Sequence, residues 1–420
     1  MLNPDIPAPV AQARDRAALQ AVNFFMADME AGMGPFLGVL LASRGWTTGT
    51  IGAVITLGAI VGMVAVGPAG ALVDATYRKR TWVIVVGLAA VAASAVILTS
   101  PHFWVVAAAQ AVMCISGATI APAVIGITLG VVGQAGFTGQ NGRNQAFNHA
   151  GNMAGAAIAG LLGWRYGYPA VFWLAAGFGV ATVVAVLAIP AGRINHHVAR
   201  GEARTDQAPV KAMRVLCQSR SLLALAGALV LFHLGNAAML PLYGLAVVAT
   251  HANPFTTVAS TVVVAQAVMI VTSLVAMRIA QRRGYWLAIL IAFTALPVRG
   301  LLAAGVITTW GVIPVQVLDG VGAGMLSVAV PGLVARILDG TGHINVGQGA
   351  IMAAQGLGAA LSPLLGGEVA QHLGFPVAFL MLGGLSLGSL IIWLWFAPIL
   401  RRAGAPDPAG RHGIAQNLRF

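Results

Sequence analysis

Twelve apolar runs, each about as long as a helix needs to be to cross a bilayer, follow one another with short polar breaks between them. Their approximate bounds are 18–42, 49–73, 81–99, 102–128, 143–163, 168–190, 221–248, 254–280, 284–306, 309–335, 344–369 and 374–399. The breaks carry turn residues, among them Ser100-Pro101, Gly167-Tyr168-Pro169, Asn253-Pro254 and Gly374-Phe375-Pro376. No alternating ten-residue segments appear, which excludes a transmembrane β-barrel. Of 420 residues 58% are apolar and 8% charged, against roughly 25% charged in an ordinary soluble domain. So few charges cannot cover a water-exposed surface, and two cysteines cannot staple a disulfide scaffold. What remains is an all-α membrane protein of twelve transmembrane helices.

The net charge of +12 raises the question of a nucleic-acid partner. A binding groove needs a continuous basic face, whereas these basic residues cluster in every second break. That spacing is the signature of topology. With the N-terminus placed inside, twenty Lys and Arg fall on inner segments, and only Arg44 and Arg165 on outer ones. Both termini are therefore expected in the cytoplasm and the protein in the inner (plasma) membrane, with no nucleic-acid partner. Residues 1–17 lack the pattern of a cleavable signal peptide, so the first run is expected to be kept as a span.

The longest inner break, 191–220, divides the chain into an N-terminal six-helix bundle at 1–190 and a C-terminal one at 221–400, followed by a cytoplasmic tail at 401–420. The halves echo each other. At an offset of 206, Glu30, Met33, Pro35 and Gly38 fall on Asn236, Met239, Pro241 and Gly244, and Gln110 falls on Gln316. At 203, Gln145, Asn152, Gly155 and Gly163 fall on Gln348, Gln355, Gly358 and Gly366. Two parallel six-span repeats about an axis along the membrane normal form a transporter architecture with its site near the midplane.

The break between the second and third runs holds Gly70, Asp74, Tyr77, Arg78, Lys79 and Arg80. A glycine, an aspartate four residues on and a basic cluster in that position resemble the signature loop of the major facilitator superfamily, with Ala75 and Tyr77 departing from it. The resemblance implies two pseudo-symmetric six-helix bundles. It also implies a conformational switch at Gly70, Asp74, Arg78 and Arg80, in which Asp74 accepts hydrogen bonds at the start of the eleventh span near Gly342-His343. Further, it implies a cavity lined by the first, fourth, seventh and tenth spans. The stretch Gly358 to Gly367, with Ser362-Pro363, is similar to one that drug antiporters of the family carry in their fifth span.

Charged groups at the centre of a span cost about 2.5–3.5 kcal/mol to insert, so each is a functional candidate. Asp28 and Glu30 lie on opposite faces of the first span. Glu30 is the first choice for the cavity, because it aligns with Asn236 and His233 lies one turn before Asn236. Asp319 in the tenth span, with Gln316 one turn earlier, is the acid of the second half. Buried carboxylates and imidazoles of this kind can take up and release a proton near neutrality. In the fifth span Asn144, Asn148, Asn152, Gln145 and His149 share an arc of about 140°. That face can be glue between helices or a wall for a solute. Arg143 and Gln355 complete the cavity candidates. Arg299, near the outer end of the ninth span, is expected to snorkel or to cap a neighbouring helix.

No phosphate-binding loop, Cys-x-x-Cys pattern or catalytic triad occurs in the sequence, so neither an ATP-driven pump nor an enzyme is expected, and no metal or cofactor. The expected function is secondary active transport of a small polar or amphiphilic solute by a monomer, through alternating access and proton antiport in the direction of efflux. Proton-coupled or facilitative uptake of a small metabolite or metal chelate is the alternative. A non-transporting membrane receptor or scaffold is the alternative of another class.

Overall fold

In the computed structural model the chain is described over residues 9–27, 33–195, 219–338 and 344–405. The first span is built from two helices, α1 (Pro9–Ala27) and α2 (Met33–Ser43), and the second and third are α3 (Thr48–Ala75) and α4 (Lys79–Thr99). The helix α5 (Phe103–Tyr166) supplies both the fourth and the fifth, because Gly133 turns it sharply with a φ of 69° and a ψ of 172°. The sixth span is α6 (Tyr168–Leu187). The seventh is again two helices, α7 (Arg220–Asn236) and α8 (Met239–Ala249). Then come α9 (Pro254–Arg283), α10 (Tyr285–Gly305), α11 (Val312–Ile337), α12 (Ile344–Leu373) and α13 (Phe375–Trp395), spans eight to twelve, and a short α14 (Ala397–Ala403). No strand occurs among the described residues.

Ten segments among the described residues are long and apolar enough to cross a membrane. The first span falls outside that set because α1 carries Arg14, Asp15 and Arg16 and α2 has only 11 residues. The fifth falls outside it because its row of amides lowers its hydropathy. The junctions follow the turn chemistry. Gly167 and Gly374 adopt φ values of 78° and 88°, which a side chain would disfavour, and each is followed by an aromatic residue and then a proline in the first turn of the next helix.

Packing repeats with the sequence. Within the first half, span one packs on five and six, two on four, three on four and six, and five on six. Within the second, seven packs on eleven and twelve, eight on ten, nine on ten and twelve, and eleven on twelve. Each pairing recurs six spans later, as a duplicated bundle with a pseudo-twofold axis requires. The closest approaches repeat too. A methyl group on Gly151 of the fifth span would collide with the Phe24 carbonyl of the first, and one on Gly358 of the eleventh with the Val230 carbonyl of the seventh. Phe24 and Val230 are 206 positions apart, the offset at which the repeats align.

Several of the described basic residues hold the ends of this bundle. At the end where the linker leaves, Arg193 pairs with Asp15 at 2.9 Å and Arg80 donates to the Leu187 carbonyl at 3.1 Å. There too, the Arg401 guanidinium lies 3.9 Å from the centre of the Trp286 ring. At the far end Arg44 donates to the carbonyls of Ile97 at 2.7 Å, Ser100 at 3.0 Å and Leu98, capping the last turn of the third span.

Candidate functional site

The seventh span breaks where its sequence cannot continue a helix. Pro241 has no N–H to offer the carbonyl of Ala237, and the helix is interrupted between Asn236 and Met239, where Ala237 and Ala238 keep helical dihedrals. The Ala238 N–H turns instead to the Ser362 hydroxyl of the eleventh span, which accepts at 2.9 Å and is wholly buried. Asn236, the last residue of α7, is thereby placed at the break, one turn after His233 on the same helix face.

Arg299 projects from the ninth span into this break. Its guanidinium donates to Asn236 Oδ1 at 2.7 Å and to Gln316 Oε1 at 3.0 Å, and lies 2.8 Å from Asp319 Oδ1. The arginine is 0% exposed. The expectation that it snorkels to the membrane surface or caps a helix is corrected. A carboxylate and two amide oxygens on spans seven and ten offer its two terminal nitrogens three acceptors inside the bundle, so it need not reach for headgroups. An unpaired cation in such a place costs several kcal/mol, so the four residues act as one unit. Gln316 and Asp319, aligned on one face by their spacing, are brought together here, behind Asn236. Among the described residues Arg299 Nε and Gln316 Nε2 have no partner.

In front of Asn236 lies a cavity of about 280 Å³ between spans seven, ten and eleven. His233, Asn236, Gln348 and Gln355 supply its polar wall, and Phe232, Ile351 and Met352 much of its apolar wall. None of its lining residues is an Asp, Glu, Lys or Arg. Gln348, the repeat partner of Gln145, is a wall residue beyond the cavity candidates of the sequence. Its signal is present in the sequence, two turns before Gln355 on the same face.

On the opposite half the amide row of the fifth span divides. Asn144 is buried against the fourth span, donating to Thr128 Oγ1 at 3.1 Å and accepting from Gln140 at 2.9 Å. Asn148 reaches the Asn23 carbonyl of the first span at 3.5 Å, and Asn152 donates to Asn148 at 3.2 Å while its own oxygen has no partner among the described residues. His149 crosses between the halves, its Nδ1 lying 2.9 Å from Gln266 Oε1 of the eighth span. Arg143 is exposed at the linker end.

Asp28 and Glu30 lie outside the described residues, as do Gly342, His343 and the side chains of Gly70 and Asp74. Of the switch loop, Arg78 is exposed and precedes α4, and Arg80 caps the sixth span as described.

At the far end the halves meet through small residues. Thr48 Oγ1 donates to the Gly367 carbonyl at 2.9 Å, the Gly49 N–H to Gln371 Oε1 at 3.1 Å, and the Leu364 N–H to Thr56 Oγ1 at 3.1 Å, joining spans two and eleven. A side chain on Gly52 would strike the Pro363 carbonyl, and one on Gly367 the Thr48 carbonyl. Spans five and eight meet in the same way, Gly160 against Ala259 and Gly163 against Phe255. The cavity, whose walls include Ser327, Pro331 and Gln348, lies on the linker side of this seal.

Comparison with known proteins adds to this geometry. The sequence profile described as Major Facilitator Superfamily matches residues 19–345 and 294–418. Two proteins named uncharacterized MFS-type transporter, from two strains of Mycobacterium tuberculosis, are each 37% identical over 390 residues, covering 91% of this chain and 92% of theirs. Among solved structures, the nucleoside transporter NupG superposes with a TM-score of 0.74 at 13% identity, covering 92% of this chain and 98% of that one. A single-substitution mutant of NupG gives 0.79, also at 13% identity, covering 91% and 99%. At that identity the likeness shows the fold.

Proposed function

The chain belongs to the major facilitator superfamily of transporters, and on that premise we propose that it carries a small polar or amphiphilic solute by alternating access, coupled to protons in the direction of export. One observation carries the proposal. The two six-span sets are sealed to each other at the far end by glycine-mediated contacts, while a polar cavity lies on the linker side of that seal. Such an arrangement supports a protein closed on one side and able to rock open there while closing on the other. The excess of basic residues at the linker end supports a cytoplasmic linker and cytoplasmic termini in the plasma membrane, so that the cavity is the inward-facing one. The units that rock are 1–190 and 221–400, working as a monomer. The loop of Gly70, Asp74, Arg78 and Arg80 acts as the switch that closes the cytoplasmic side in the alternate state.

Proton coupling is assigned first to Glu30. Its repeat partner Asn236 lines the cavity of the other half, which supports a cavity position for Glu30 itself. Asp319 is the second candidate. It already neutralises Arg299, so a proton on Asp319 would leave a fully buried cation without its counter-charge. A step through Asp319 therefore requires Arg299 to find another anion at the same moment. Facilitative or proton-coupled uptake is kept as a second reading, because no carboxylate lines the described cavity and a solute can pass it without meeting a proton carrier.

Proteoliposomes with an imposed pH gradient test the assignment. A panel of labelled metabolites and amphiphilic dyes is offered, and internal pH is followed. At least one solute is expected to move against protons, and Glu30→Gln is expected to abolish the coupled proton flux while solute exchange continues. Equal proton flux in Glu30→Gln and the unmodified protein would remove the coupling assignment. Solute flux indifferent to the pH gradient would favour facilitated uptake. If no member of a broad panel moves at all while ligands still bind, the protein is a receptor.

A further inference from the structure

The hydrogen bonds behind the cavity wall fix the polarity of the groups that face into it. A guanidinium can only donate, so Asn236 must present its oxygen to Arg299, at 2.7 Å. Its amide nitrogen is then the group left for the cavity that Asn236 lines. A backbone carbonyl can only accept, so Gln348 must present its nitrogen to the Pro331 carbonyl, at 2.7 Å, and keeps its oxygen for the cavity. The same rule applies to His233, whose Nδ1 lies 3.0 Å from the Leu229 carbonyl and must carry the hydrogen. In the uncharged ring Nε2 is then an acceptor. Gln355, with no fixed partner among the described residues, can turn either way.

The wall therefore offers one fixed donor, Asn236 Nδ2, one helical turn from a fixed acceptor, His233 Nε2, with a second acceptor, Gln348 Oε1, across the cavity from the seventh span. Phe232 and Ile351 provide apolar surface beside them, and among the described residues no charged side chain lines the space. At about 280 Å³ the cavity is at the small end for ligand sites and has room for one two-ring molecule.

We propose that this cavity binds uncharged cyclic amides, molecules in which a carbonyl acceptor adjoins an N–H donor, and rejects carboxylates. The carbonyl of such a ligand accepts from Asn236, and its N–H donates to His233 or Gln348. A carboxylate of the same shape sets lone pairs against both acceptors and brings a charge with no partner. An N-alkylated amide keeps the first bond and strands the acceptors. Leaving one buried polar group unpaired costs about 1–3 kcal/mol, which corresponds to roughly five- to 150-fold in affinity. The proposal rests on the transport reading only in taking the cavity as the seat of the solute.

Equilibrium dialysis of the purified full chain in detergent tests it with three probes of one frame: 2-quinolone, N-methyl-2-quinolone and quinoline-2-carboxylate. The expected order is 2-quinolone tightest, the N-methyl compound at least about tenfold weaker, and the carboxylate weakest. Asn236→Asp keeps an oxygen for Arg299 and removes the donor, and is expected to weaken 2-quinolone about tenfold. His233→Phe removes an acceptor at nearly constant shape. It is expected to weaken 2-quinolone and not to weaken the N-methyl compound, a difference that misfolding cannot produce. Equal binding of all three probes, tightest binding of the carboxylate, no binding of 2-quinolone, or an equal loss of both amides in His233→Phe would each overturn the proposal. Since dialysis involves no movement across a membrane, the expected order without solute flux in liposomes removes the transport reading and keeps the ligand class. Flux of other solutes with no preference among the quinolones does the reverse.

Discussion

At the scale of single residues, Arg299 governs the most. Its three acceptors come from two different spans, and the sequence marks all three for other reasons: Asn236 by the repeat, Asp319 as an intramembrane acid, and Gln316 as its neighbour one turn earlier. The arginine that unites them was assigned to the surface, because sequence position tells how deep a residue lies and not which way it points. Truncating one member of a buried pair leaves the other uncompensated, at a cost of about 3–5 kcal/mol. Arg299→Leu and Asp319→Asn are each expected to lose that much in chemical unfolding in mixed micelles. The double variant, with neither charge, is expected to lose clearly less than the sum of the two. Additive losses would show that the pair is not a unit.

At the scale of elements, the spans were legible and their interruptions were not. Apolar runs of about 20 residues mark a helix in lipid almost irrespective of detail, and the glycine-proline junctions at Gly167 and Gly374 were visible as turns. The break of the seventh span was hidden because Pro241 and Asn236 sit within an otherwise apolar run. A proline in a membrane helix can merely bend it, and here the freed Ala238 N–H finds Ser362, a partner 124 residues away that no local pattern discloses. The helical stretch ahead of Arg143 was likewise read as a connection, since Gly133 and its polar successors resemble a loop by composition. Two expectations follow. Ser362→Ala leaves the Ala238 N–H unpaired in a buried place and is expected to destabilise the protein by about 1–3 kcal/mol, seen as a lowered unfolding temperature in detergent. Gly52→Val forces spans two and eleven apart at the far end. Overpacking of about 1–3 kcal/mol there is expected to shift the population toward the far-end-open state by roughly tenfold. The rate at which an impermeant maleimide labels Gln371→Cys reads that shift, and unchanged labelling would mean that Gly52 does not hold the seal.

At the scale of the whole molecule, the duplicated bundle was readable from the offset of 206, and the packing pairs repeat with it. The cavity is readable only in part. Periodicity picks out a face of one helix, whereas a cavity is made where faces of several helices fail to meet. His233, Asn236 and Gln355 do share a cavity, yet Gln316 and Asp319 stand behind its wall. The whole-molecule test is to prevent rocking. A short bifunctional maleimide between Thr48→Cys and Gln371→Cys, which join spans two and eleven, is expected to stop solute flux while leaving ligand binding from the linker side intact. Continued flux in the cross-linked protein would rule out movement of the two sets against each other at this seam.

The seam at the far end has one more consequence. Much of it is bare main chain leaning on main chain, at Gly52 against Pro363 and Gly367 against Thr48, some distance from the pocket's amides and imidazole. The work of shutting the gate is then nearly blind to what sits inside. A lineage can exchange the chemistry of its pocket, residue by residue, and take up new cargoes without having to rebalance the hinge that delivers them.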